Sequence, residues 1–259
     1  MKIFWLILFF SFFAVGKTSA QNAEKSEQDC EAEKAKILRY ESQLQDWANL
    51  KRYREENAKL QAASKNEPRV VFMGDSITDG WNLAEYFPGK PYINRGIGGQ
   101  TTPQMLLRFR PDVINLKPRL VVILAGTNDI SGNTGPMTAE ETANNLVSMV
   151  ELARANDIGV VLSSILPVSD RVKNKQGELF IQTKSRPNEK IRAINDWMKK
   201  YAADNDIVYL DYYSATIDEK GTLKDGLSYD GLHPDRNGYK LMQSLAEAAI
   251  EQALKKEIK

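Results

Sequence analysis

The sequence predicts a three-layer α/β fold, a doubly wound parallel sheet of five strands with helices on both faces, preceded by a helical extension. Three observations predict it. Five short apolar runs, 69–73, 92–94, 120–125, 160–165 and 207–211, are bounded by polar or glycine-containing stretches. They are not strictly alternating, as expected of parallel strands covered on both faces. Stretches with helical periodicity separate the later runs, which is the βαβ pattern and implies right-handed crossovers. The chain has 259 residues, 42% hydrophobic and 27% charged, which is enough apolar material for one packed core and too little bias for disorder.

Residues 1–20 read as a signal peptide. Met1-Lys2 precedes an apolar run from Ile3 to Val15, and Thr18-Ser19-Ala20 supplies the small residues a peptidase needs, with cleavage expected after Ala20. As a helix that run would cover roughly 20 Å, short of the roughly 30 Å bilayer core, so no stable membrane insertion is expected after cleavage. The alternative is an uncleaved anchor. The protein is therefore expected to be exported, to the periplasm or outside the cell.

Residues 21–66 form the predicted extension. From 31 to 64 the chain is rich in Ala, Glu, Lys, Gln and Leu and has no Gly or Pro, while Leu44, Trp47, Leu50, Tyr53 and Leu60 recur near helical spacing. One long helix is expected, its apolar stripe docked on a core.

The main domain is expected over residues 67–259. Thr138 and Glu141 make a possible capping box for a helix over 138–155, with Ala143, Leu146, Val147 and Val150 on one face. Pro187 suits the first turn of a helix over 187–203 that carries Ile191, Ile194, Trp197, Met198 and Tyr201. A last helix over 237–255 uses Met242, Leu245 and Ala249 likewise.

Composition also excludes functions. With 35 Lys+Arg against 34 Asp+Glu the formal charge is +1, which removes the long-range attraction that nucleic acid or an anionic membrane would need. One cysteine, Cys30, and one histidine, His233, cannot staple the fold by disulfides or build a Cys/His zinc site within one copy. Cys30 stands ten residues beyond the expected cut and is read as a bystander.

Sheets of this kind bind ligands outside the carboxyl ends of their strands, so the residues just after each apolar run come first. After the first stand Gly74, Asp75 and Ser76, where a serine most often caps a helix. After the second, Gly96-Ile97-Gly98-Gly99-Gln100-Thr101 lets backbone N–H groups approach a ligand, but the dinucleotide spacing G-x-G-x-x-G fails at Thr101. After the third, Gly126-Thr127-Asn128-Asp129 offers an amide, or an Asx turn. Following the fifth run, Asp230 precedes His233 by three residues and can reach its ring to orient it and stabilise its charged form. Each signal alone has an ordinary structural explanation. Together they supply what acyl transfer needs: a hydroxyl, a base, an orienter and pre-aimed donors. His233 is the only histidine available as a base.

At these positions the sequence resembles the SGNH/GDSL hydrolase superfamily, whose four blocks match Gly74-Asp75-Ser76, Gly99, Gly126-Thr127-Asn128-Asp129 and Asp230-Gly231-Leu232-His233, in order. The likeness is greatest to the platelet-activating-factor acetylhydrolase-like branch of acyl- and acetylesterases. It implies a flavodoxin-like sheet in the order 2-1-3-4-5. It also implies Ser76 as nucleophile, His233 as general base and Asp230 as its partner, with an oxyanion hole of the Ser76 and Gly99 N–H groups and the Asn128 amide. No metal and no organic cofactor is called for. Ile77 replaces the leucine of the family's GDSL motif, a change between apolar residues of similar volume.

The expected activity is hydrolysis of short acyl esters, acetyl above all, on a small-molecule or glycan substrate. Alternatives are a lipid or thioester acylhydrolase, an acyltransferase, or a glycan-binding protein on the same scaffold. The polar loop 167–187, with Arg171, Lys173, Lys175, Phe180 and Arg186, is a candidate border of the pocket. Trp81, Tyr86 and Phe87 either wall that pocket or, as expected, pack the first helix. Oligomeric state is not readable from the sequence.

Overall fold

The computed structural model describes residues 27, 30–38, 40–41, 44–64 and 67–256. The expected signal peptide lies outside them. The chain divides into two compact units, Met1–Trp47 and Ala48–Lys259. In the first, residues 30–38, 40–41 and 44–45 are helical, and Lys34 bonds Glu31 at 2.9 Å one turn away.

The second unit holds five strands: β1 (Val70–Gly74), β2 (Tyr92–Gly96), β3 (Leu120–Leu124), β4 (Gly159–Ser163) and β5 (Val208–Leu210). All neighbours are parallel and the order is β2-β1-β3-β4-β5. Its main helices are α1 (Arg54–Lys59), α2 (Ser76–Asp79), α3 (Leu83–Tyr86), α4 (Thr102–Asp112), α5 (Thr127–Ile130), α6 (Ala139–Arg154), α7 (Asn188–Asp204), α8 (Tyr212–Thr216) and α9 (Arg236–Lys256).

Successive strand residues point to opposite faces, and in β1 and β3 every residue is buried, which explains their continuous apolar runs. Val71, Met73, Val121 and Ile123 pack with Met105 and Phe109 of α4, Leu146 and Met149 of α6 and Ile191 and Met198 of α7. On the other face Val70, Phe72, Leu120 and Val122 meet Met242, Ala246 and Ile250 of α9. Burying each large side chain of this kind is worth roughly 1.5–3 kcal/mol. Trp81 and Phe87 belong to this second core, edge-on or tilted against Phe72 with centroids 5.7 Å away, so they pack the fold and do not wall a pocket.

One expectation needs correction. The single helix over 31–64 is interrupted: residues 46–53 are bend, turn and coil, Asn49 is left-handed (φ 52°), α1 is a separate short helix and Leu60 is extended. Tertiary bonds outweigh helix propensity here. The carbonyl of Ala48 accepts from Gln100 Nε2 at 2.7 Å, and the buried Tyr53 donates its hydroxyl to the Gly96 carbonyl while the Arg95 guanidinium lies 4.4 Å over its ring. The helix α4 had no counterpart in the sequence reading. Pro103 sits in its first turn, where no N–H bond is lost, and Pro111 in its last.

Register sets up the site. Gly74 lies opposite both Gly96 and Leu124, so β1, β2 and β3 end level and their following turns emerge side by side.

Candidate active site

β1 runs into α2 through Asp75, whose carboxylate caps the helix by accepting from the Ile77 N–H at 3.0 Å. Ser76 is thus the first helical residue and not the cap, and its hydroxyl is left for other work. Two neighbours fix this turn. Tyr239 of α9 donates its hydroxyl to the Ile77 carbonyl at 2.9 Å. Gly96 brings β2 so close that a Cβ there would stand 2.1 Å from the Asp79 backbone nitrogen.

The loop after β2 is braced from below. Arg108 of α4, wholly buried, donates to the carbonyls of Gly74 at 3.0 Å and Arg95 at 2.8 Å, to Gln100 Oε1 at 2.6 Å and to Asp112 at 3.2 Å. One side chain therefore ties the ends of β1 and β2 together. Gly99 follows in a left-handed conformation (φ 78°), with its carbonyl accepting from Asn133 Nδ2 at 2.9 Å. Among the described residues its N–H has no hydrogen-bond partner.

Asn128 lies inside α5, whose cap is Gly126, and is buried. Its Nδ2 donates to the Gln100 carbonyl at 3.0 Å and its Oδ1 accepts from Arg186 Nη2 at 3.1 Å. The next residue, Asp129, accepts from the Thr102 N–H at the start of α4, 3.1 Å from each oxygen, so the loops after β2 and β3 are stitched together. Burial pushes the Asp129 carboxyl up, against these hydrogen bonds.

The segment before α9 brings Asp230 and His233. The hydroxyl of Ser228 accepts from Gly231 N at 2.9 Å, and Asp230 Oδ1 accepts from the backbone of Leu232 at 3.0 Å and His233 at 2.7 Å, closing a tight turn. Asp230 Oδ2 then lies 2.6 Å from His233 Nδ1, and His233 Nε2 lies 2.9 Å from Ser76 Oγ. Burial opposes the Asp230 carboxylate, but the bonds from the His233 ring and backbone outweigh it and hold its carboxyl below the usual range. Tyr229, largely exposed, stacks on the His233 ring at 5.7 Å.

The structure thus brings Ser76, Asp230 and His233 into one hydrogen-bonded chain, with Asn128 joined to Gly99's neighbour Gln100. Arg186 is a contact the sequence did not assign. It comes from the loop 167–187, expected only in general terms to border the pocket, and its pairing with Asn128 across 58 positions leaves no local signal. Among the described residues no group of three or more His, Cys, Asp or Glu is arranged to hold a metal ion.

Comparison with known proteins is consistent with this geometry. Residues 72–241 match the model of the GDSL-like lipase/acylhydrolase family. A GDSL-like lipase from Bacteroides thetaiotaomicron VPI-5482 has a similar crystal structure, with TM-score 0.72, 43% identity and coverage of 80% of this chain and 98% of that one. Platelet-activating factor acetylhydrolase IB subunit alpha2 of Homo sapiens is 26% identical over 195 residues, 71% of this chain and 77% of that protein. The uncharacterized lipoprotein YqeF of Bacillus subtilis is 31% identical over 118 residues, and the match spans about half of its length, 49%.

Proposed function

Because the chain belongs to the GDSL-like lipase/acylhydrolase family, we propose that it is an esterase in which Ser76 is the nucleophile, His233 the general base and Asp230 the orienting carboxylate. The observation that carries the reading is the unbroken chain from Asp230 Oδ2 through the imidazole to Ser76 Oγ, with links of 2.6 and 2.9 Å. A carboxylate on Nδ1 keeps the proton on that nitrogen and leaves Nε2 as acceptor for the serine proton. The serine oxygen attacks the ester carbonyl, the imidazolium returns its proton to the departing alcohol, and water repeats the sequence on the acyl-enzyme. The developing oxyanion is taken by the N–H groups of Ser76 and Gly99 and by the second N–H of the Asn128 amide.

The preferred substrates are short acyl esters, acetyl esters on carbohydrates above all. A relative named as an acetylhydrolase and the polar character of the loop 167–187 support this choice over long lipid chains. Residues 1–20 direct the protein out of the cytoplasm in this reading, which the lipoprotein relative supports.

The test is hydrolysis of a p-nitrophenyl ester series and of acetylated sugars by the purified protein. Wild type is expected to cleave acetate best and Ser76→Ala to lose turnover while keeping its circular dichroism spectrum. Undiminished hydrolysis by the variant would remove Ser76 from the mechanism, and rates rising beyond butyrate would redirect the substrate to lipids.

A further inference from the structure

We propose that Arg186 is a positioning residue that holds the Asn128 carboxamide in the one orientation able to donate to the oxyanion; the inference rests on the reading of Asn128 given above. The two ends of a carboxamide have nearly the same shape, and only their partners decide which end faces where. Here both partners agree. Nδ2 meets a carbonyl oxygen, that of Gln100, at 3.0 Å, and Oδ1 meets a guanidinium nitrogen at 3.1 Å. Turned over, the amide would set two oxygens against each other on one side and two N–H donors on the other. In the observed orientation one hydrogen of Nδ2 goes to Gln100 and the second is free for the substrate.

The two clamps differ in kind. Gln100 is locked into the body of the protein through Ala48 and Arg108, by bonds of 2.7 and 2.6 Å. Arg186 arrives from the loop before α7 and is placed for direction rather than for pairing. Its other terminal nitrogen donates to Ser185 Oγ at 3.2 Å, its Nε is buried with no partner, and among the described residues no carboxylate lies within 4.0 Å of it. Burial opposes its charge, and the more distant carboxylates of Asp75 and Asp230 offset that only in part. A half-buried guanidinium without an ion pair is costly, and the cost is sustained for one directional bond, to Asn128. That bond also polarises the amide and makes its free N–H a stronger donor.

A double-mutant cycle separates this role from simple support of the loop. The values of kcat and KM for p-nitrophenyl acetate are measured for wild type, Arg186→Met, Asn128→Ala and the double variant. Losing the lock is expected to lower kcat about tenfold with KM within about twofold, and to cost less than about twofold once Asn128 is already Ala. Equal losses in both backgrounds, or a loss confined to KM, would overturn the proposal. Should Arg186→Met fail to fold, the cycle is run with Arg186→Lys, which keeps the stem and charge but lacks the planar fork; a loss that vanishes with Asn128→Ala supports the lock and one that persists refutes it. Wild type that neither hydrolyses aryl esters nor is labelled at Ser76 by a fluorophosphonate would overturn the esterase reading and this inference together, whereas an active wild type with additive losses overturns this inference alone.

Discussion

His233 Nε2 lies 2.9 Å from Ser76 Oγ although 157 positions of sequence separate them. The two arrive from opposite ends of the domain, Ser76 at the carboxyl end of β1 and His233 in the turn before α9. What sets their distance is therefore the packing of loops on the sheet rather than any local motif. Asp230 belongs to the same turn as His233 and fixes which ring nitrogen faces the serine.

Asp230→Asn is accordingly expected to keep the turn and lose the chemistry. An amide can still accept from Leu232 and His233 N–H groups, as Oδ1 does now at 3.0 and 2.7 Å, but it presents an N–H where Oδ2 met Nδ1. The imidazole is pushed to the other tautomer, and kcat for p-nitrophenyl acetate should fall on the order of a thousandfold or more with little change in KM. A fall of less than about tenfold would mean that His233 is oriented by something else.

The fold was legible because both faces of the central strands are buried, which writes β1, β3 and β4 as nearly continuous apolar runs with polar residues or glycine at their ends. Ser76 and Asn128 stand just after strand ends for the same reason, whereas Asp230 and His233, some twenty positions beyond β5, were singled out by their own spacing. What stayed hidden depended on distant partners. The break at Asn49 falls in a segment with helical composition throughout, and the bonds that hold it there, among them those to Gln100 and Gly96, come from distant parts of the chain. Two prolines concealed α4, since their places in its first and last turns cannot be known before its ends are. Arg186 was named only as one of several residues of a candidate pocket border, and its bond to Asn128 appears only once the chain is folded.

Gly231 holds the Asp230–His233 turn against the loop after β4. It is left-handed (φ 83°), a Cβ there would stand 2.0 Å from the Ser169 carbonyl, and the Gly231 carbonyl accepts from Ser169 N at 2.9 Å. Gly231→Ala must displace backbone, so both melting temperature and kcat are expected to fall, the latter by more than about tenfold. Gly177→Ala is the control. It is also left-handed (φ 85°) but has open space around it, so it should cost only about 1 kcal/mol of stability and leave kcat unchanged. Equal effects of the two substitutions would show that conformation alone, and not the contact with Ser169, matters at Gly231.

Asp75 makes stability depend on pH in a direction opposite to that of most surface carboxylates. Burial pushes its carboxyl from 3.8 up to about 6, against the Ile77 hydrogen bond and the charge of His233. Between those values the folded chain holds a proton that the unfolded chain has released, so this group's contribution falls as pH rises from 4 through 6 and stays low above. The difference of about two pH units corresponds to roughly 3 kcal/mol of destabilisation at pH 8. Asp75→Asn removes that charge while keeping an oxygen to cap α2. Its stability relative to wild type, read from urea midpoints, should therefore rise by up to about 3 kcal/mol between pH 4 and pH 8. A relative stability that does not change with pH over that interval would mean that Asp75 remains ionised in the folded protein throughout.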